Sequence, residues 1–229
     1  MKKIISVIAA AVLVGFFLGA AGFGIVKFLQ KEPQLPSVPL AESDPEMSGC
    51  YIKNFFAYSG KNPEDGSFER VSDVAAITVK NYSGHDIKYA EITVKTQGGD
   101  YVFLATTLLA GSEMTVLEKT GAKLYDTFSF LSAEITAGAL FDEAPSLHED
   151  SLAIAPSGNG FSVKNISGSD INGTVSLYFK ACDENGYFGG ITYKTDIDGI
   201  KAGEEKTVSA ELDTDNRLEA VFVTVSQEE

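Results

Sequence analysis

One phrase occurs twice in this chain and limits what it can fold into. Residues 79–87 read Val-Lys-Asn-Tyr-Ser-Gly-His-Asp-Ile, and residues 163–171 read Val-Lys-Asn-Ile-Ser-Gly-Ser-Asp-Ile. A second phrase follows each copy: Ala110-Gly111-Ser112-Glu113-Met114-Thr115-Val116, then Ala202-Gly203-Glu204-Glu205-Lys206-Thr207-Val208. Two matched phrases in the same order suggest an internal duplication, so the part of the chain that holds them is expected to be two copies of one unit. The chemistry of the first phrase is that of a strand running into a turn. Asn, Ser and Asp side chains bond nearby backbone, and Gly tolerates positive φ.

Around these phrases the hydrophobic pattern is that of strands. Val175, Leu177 and Phe179 fall on one face of an alternating run, with Ser176, Tyr178 and Lys180 on the other. Ile77 and Val79 alternate likewise in the first copy, where Phe161 and Val163 stand in the second. Gln97-Gly98-Gly99-Asp100 and Asp183-Glu184-Asn185-Gly186 read as hairpin turns. Helical periodicity is absent after the N-terminus. Short, turn-punctuated strands of this kind predict an all-β sandwich of about six or seven strands per copy. The expected modules are residues 49–138 and 151–229, joined by an acidic linker over 139–150.

The copies differ in one respect. Val79 to Ala110 is 31 residues, whereas Val163 to Ala202 is 39. The eight extra residues fall around the central hairpin of the second copy. A longer hairpin is a place to carry a partner contact, and it is equally a tolerated surface insertion. Asp183, Asn185, Tyr187, Phe188 and Tyr193 are the candidate partner-binding residues there.

The N-terminus is of another kind. Lys2-Lys3 is followed by Ile4–Val26 with no charge. At 1.5 Å per residue that run makes about 34 Å of helix, enough for a hydrocarbon layer of about 30 Å. As a cleaved signal peptide, Gly19-Ala20-Ala21 would be the processing site. The run stays apolar beyond it, through Ile25-Val26 to Phe28-Leu29, which favours an uncleaved signal anchor over residues 1–31. Either way the leader directs the rest of the chain outward: a single-pass membrane protein with its bulk extracytoplasmic, or a secreted one if cleaved. Gly15 and Gly19 form a GxxxG pair, a candidate helix-pairing face. Residues 32–48 hold four of the seven prolines and read as a semi-rigid stalk, whose Pro-rich part to Pro45 would be about 30–45 Å long if extended.

Charge excludes one class of partner. The first 31 residues carry four lysines and no acid, which leaves 14 basic residues against 32 acidic ones. Such a surface repels phosphate backbones, so no nucleic-acid binding is expected. Cys50 and Cys182, the only cysteines, are too few for a disulfide framework or a zinc site. One cross-link and two free thiols both remain open. Asp183–Gly186 and Asp196–Gly199 place carboxylates before glycine, but position 12 of an EF-type loop falls on Lys194 and Thr207 respectively. The two histidines, His85 and His148, build no nucleophile–base arrangement. No phosphate-cradling glycine motif occurs. The expectation is a non-catalytic protein without cofactor or metal, binding a protein or cell-envelope partner, or else serving as a structural subunit or spacer of an envelope assembly.

The second copy resembles the FxLYD-type extracytoplasmic domains of bacteria. The resemblance rests on Val163-Lys164-Asn165-Ile166-Ser167, Leu177-Tyr178, Asp183 to Gly186 and Gly203-Glu204. Phe179 and Ala202 depart from that pattern, and the first copy keeps only its opening phrase and Ala110-Gly111. The resemblance spans about 65 residues and implies an immunoglobulin-like sandwich on a cell-surface protein. The fold expected for the whole is therefore two tandem immunoglobulin-like β-sandwich modules behind one N-terminal transmembrane helix.

Overall fold

A computed structural model describes residues 38–40, 47, 49–62, 69–125, 129–183, 186–212 and 217–226. The expected membrane helix with Gly15 and Gly19, most of the stalk, and Asn185 lie outside the described residues. Within them the protein is all-β. Its strands are β1 (Val38–Pro39), β2 (Cys50–Lys61), β3 (Arg70–Asn81), β4 (Ile87–Thr96), β5 (Gly99–Leu108), β6 (Glu113–Leu117) and β7 (Phe130–Leu140). There follow β8 (Leu152–Pro156), β9 (Gly160–Asn165), β10 (Ile171–Asp183), β11 (Gly186–Ile200), β12 (Glu205–Ser209) and β13 (Arg217–Val225).

The duplication is visible as topology. In repeat 1, β3 pairs antiparallel with β2 and β6, and β4 pairs antiparallel with β5 and β7. In repeat 2, β9 pairs with β8 and β12, and β10 pairs with β11 and β13. Each repeat thus has two three-stranded antiparallel sheets that share one core. Core 1 joins Ile52, Phe55, Ile77 and Val79 to Ile92, Val94, Phe103 and Ile135. Core 2 joins Leu152, Phe161 and Val163 to Val175, Leu177, Phe179 and Val223. Within regular strand these inward positions sit on alternate residues because successive side chains point to opposite faces, and the three-residue step from Ile52 to Phe55 spans a register shift in β2.

Each copy of the first phrase ties a polar knot against the second phrase. Asn81 is fully buried, and its side chain satisfies both ends. Nδ2 donates to the carbonyls of His85 and Leu108 (2.9 Å each), and Oδ1 accepts from Ser83 N (2.9 Å) and Ser83 Oγ (2.6 Å). Asn165 repeats this with the carbonyls of Ser169 (2.8 Å) and Ile200 (2.9 Å) and with Ser167 N and Oγ (2.9 and 2.6 Å). Gly111 N and Gly203 N donate to the main-chain carbonyls of Asn81 and Asn165. Asp86 Oδ1 accepts from Ala110 N, and Asp170 Oδ1 from Ala202 N (2.7 and 2.8 Å). A buried amide is tolerable only when its donors and acceptor all find partners, which is why Asn, Ser and Asp recur at fixed spacing. His85 is an exposed turn residue whose carbonyl serves the knot.

The repeats are not separate beads. Strand β11 pairs antiparallel with β10 from Gly186 to Ile200, and Tyr187 and Phe188 at its start also pair in parallel with Met114 and Thr115 of β6. This contact fuses one sheet of each repeat into a seven-stranded sheet, ordered β1-β2-β3-β6-β11-β10-β13. Both repeats belong to one compact unit. Cys50 and Cys182 are both buried and form no disulfide; burial pushes the Cys182 thiol up, against the pull of the Arg217 hydrogen bond.

Candidate binding cleft between the repeats

The eight extra residues of repeat 2 build the junction. Strands β10 and β11 are 13 and 15 residues long where β4 and β5 are 10 each. Ile200 holds the place of Leu108, each carbonyl receiving the knot asparagine. Counting back from there, Gly186–Gly190 is the part of β11 with no counterpart in β5. That extension carries the parallel pairing with β6. It also carries Gly190, which lies so close to repeat 1 that a Cβ there would stand 2.0 Å from the Leu104 carbonyl oxygen. Only a residue without a side chain permits that approach.

Hydroxyls complete the seam. Thr106 Oγ1 donates to the Gly190 carbonyl (2.6 Å) and lies 3.0 Å from Thr192 Oγ1. Thr192 Oγ1 is also 2.9 Å from Thr107 Oγ1 and 3.3 Å from the Thr106 carbonyl. Thr107 has φ +51°, an outlier for a β-branched residue. Its equivalent in repeat 2 is Gly199, at φ +49°. The repeat therefore has a left-handed bulge at this place, and repeat 1 fills it with threonine, whose hydroxyl reaches the junction. On the neighbouring strand Lys180 is fully buried, and Nζ donates to the carbonyls of Gly190 (3.2 Å) and Ile191 (3.3 Å). The polar face of β10 is thus turned into the molecule rather than to solvent.

Beside the seam lies a cleft of about 850 Å³, within the range of ligand pockets. Its apolar shelf is aromatic. Tyr178 and Phe222, cross-strand partners on β10 and β13, stack with centroids 4.1 Å apart and planes 8° apart. Phe141 meets Phe222 edge to face at 5.3 Å. Thr106, Thr107 and Thr192 line the same cleft, with Ile191 and Val225 exposed beside them. Lys88, Glu143 and His148 stand at it too. Among the described residues, no hydrogen bond or ion pair engages the Lys88 ammonium, the Glu143 carboxylate or the His148 ring.

The segment 141–148 is what closes this cleft on one side. Phe141 N donates to the Asp86 carbonyl (3.2 Å), and Val223 N on β13 donates to the Ser146 carbonyl (2.8 Å). Leu147 packs on core 2. His148, at φ +52°, offers its carbonyl to Ser151 N and Leu152 N, which turns the chain into β8. The stretch expected as a linker is pinned along the edge of β13.

The residues singled out in the sequence are dispersed by this geometry. Asp183 closes the hairpin opposite Gly186. The main chain of Tyr187 and Phe188 meets β6 of the same molecule. Tyr193 takes the place of Tyr101, and each packs on the core of its own repeat, Tyr193 with its ring 5.8 Å from Phe179. Asp196 and Asp198 lie within β11 and accept hydrogen bonds from Ser176 (2.6 Å) and Thr174 (3.1 Å) of β10. Of the cleft residues Phe141, Tyr178 and Phe222, the sequence reading singles out only Tyr178, and it places that residue on the polar face of the β10 run. No family model, curated protein or solved structure matches the chain.

Proposed function

We propose that this chain is a membrane-anchored, extracytoplasmic binding protein without catalytic activity, which seats its ligand in the cleft between two immunoglobulin-like sandwich repeats. The observation that carries this reading is the cleft itself. It combines an aromatic shelf, a row of threonine hydroxyls and three polar heads with no partner among the described residues. Binding sites have this makeup: mostly apolar walls with a few placed polar groups. The sandwich reading is supported by the paired three-stranded sheets of each repeat, and the anchor by the uncharged run Ile4–Val26 after Lys2-Lys3. Topology is tested by protease treatment of sealed cells. The modules are degraded from outside if the reading holds; their protection sinks it. The binding function is tested by exchanging Tyr178 and Lys88 for Ala in the full chain and comparing what is retained from envelope extracts. Identical retention by wild type and variant sinks the cleft as the seat.

A second reading has its own support. The seven-stranded sheet joins the repeats without a hinge between β6 and β11, as a rigid spacer of an envelope assembly requires. Contacts would then be made through the Gly15–Gly19 face of the membrane helix. Replacing both glycines with Leu should disperse such an assembly, and unchanged co-migration on a native gel discards the idea.

A further inference from the structure

Resting on the cleft as the ligand seat, we infer that its ligand class is a neutral saccharide. The hydroxyl row decides the polar half of the match. The Thr106 hydrogen is directed to the Gly190 carbonyl, and the Thr192 hydrogen has only inward acceptors in Thr106 and Thr107. A hydroxyl has one hydrogen and two lone pairs, so what these groups still offer the cleft is acceptor capacity. The matching ligand brings donors. Lys88 adds donors, Glu143 acceptors and His148 both, and a sugar hydroxyl, donor and acceptor at once, satisfies each.

The aromatic half fits the same ligand. A pyranose ring has an apolar C–H face and a polar rim, and rings such as Tyr178, Phe222 and Phe141 pack against such a face. All three are half-buried and line the cleft. Other classes meet an obstacle. An extended peptide that added a strand to β13 would need its outward main chain, but Val223 N is already bonded to the Ser146 carbonyl. An anionic ligand meets a chain of net charge −14. A lipid tail would strip water from Lys88, Glu143 and the hydroxyls without returning a hydrogen bond.

The test is saturation-transfer NMR on the full chain in nanodiscs. The probes are neutral oligosaccharides of glucose, galactose, mannose and N-acetylglucosamine, with a proline-rich peptide and phosphatidylcholine micelles as the other arms. The expected result is saturation on the C–H protons of at least one sugar. It should fall about fivefold or more, as loss of a contact residue brings, in Tyr178→Ala and in Lys88→Ala/Glu143→Ala. The second variant changes only exposed side chains and so separates lost binding from lost folding. If peptide or lipid gives the variant-sensitive signal and no sugar does, the saccharide assignment is overturned while the cleft stands as a seat. If no probe gives a signal that the variants weaken, the ligand-seat reading falls with it.

Discussion

Buried polar side chains set the finest detail of this fold. Asn81 and Asn165 each place two donors on two carbonyls and one acceptor before a serine, all out of water. Replacing Asn165 with Ala leaves the Ser169 and Ile200 carbonyls and the Ser167 donors without that partner, a loss of about 2–4 kcal/mol in urea unfolding. Asn165→Asp should be worse at neutral pH, because a carboxylate oxygen would then face both carbonyls, and should recover partly in acid as that carboxyl gains a proton. Equal stability of the Asp variant across pH would refute the knot as drawn. Glu118 is a second such group. Burial pushes its carboxyl up, but the hydrogen bonds from Ala122 N, Thr120 Oγ1, Thr120 N and Val102 N outweigh this and hold it below the usual range. A lowered folded pKa means stability that is complete above the unfolded value and lost as pH falls through the folded one. Glu118→Gln presents an amide to the same donors and should cost about 1–3 kcal/mol at pH 7. The gap between wild type and variant should narrow as pH drops below the ordinary carboxylate range. A gap that is constant down to acid denaturation would show that the charge is not what the loop 118–122 recognises.

At the scale of strands, the junction depends on Gly186–Gly190. The sequence reads Gly186 as the end of a hairpin turn and Tyr187 onward as the returning strand, but only the fold reveals that this strand also reaches β6. Gly190→Ala puts a methyl onto the Leu104 carbonyl, backbone against backbone, and neither can yield without moving a sheet. Overpacking of this kind costs about 1–3 kcal/mol. The diagnostic readout is hydrogen exchange: amides of Gly186–Gly190 and of Met114–Val116 should lose protection together, while the knots keep theirs. Unchanged exchange in β6 would mean the strands do not depend on each other. Which features were legible in the sequence follows the same logic. Alternation in β10 gave the core face correctly, since Val175, Leu177 and Phe179 are fully buried. It could not tell that the opposite face also has cover, because Ser176, Tyr178 and Lys180 spell a polar face whether water or repeat 1 lies against it. The repeated phrase was legible as a turn from its residue types, but its long-range half, Asn81 to Leu108 and Asn165 to Ile200, is set by tertiary packing. The cleft was illegible for the same reason: Phe141, Tyr178 and Phe222 come from three segments that only the β10–β13 pairing and the docked segment 141–148 bring together.

For the molecule as a whole, duplication ordinarily gives two domains that fold by themselves, and here the seam argues otherwise. A seven-stranded sheet runs through both repeats, a hydroxyl network and the buried Lys180 sit at their junction, and segment 141–148 bonds to repeat 1 through Phe141 N and to β13 through Ser146 O. Opening one repeat would expose the β6 edge, the Gly190 carbonyl and the aromatic shelf at once. The cost of that exposure couples the two cores. The equivalent asparagines supply one reporter in each. If the repeats unfold as one unit, denaturant curves followed by circular dichroism and by tyrosine fluorescence superimpose in a single transition. Asn81→Ala and Asn165→Ala should then each move the whole transition, by similar amounts, with the slope unchanged. Independent repeats would give a biphasic curve in which each variant shifts only its own half. Gly190→Ala, which loosens the seam and leaves both knots intact, should convert the first behaviour into the second. A single transition that persists in that variant would place the coupling elsewhere, in the docked segment 141–148.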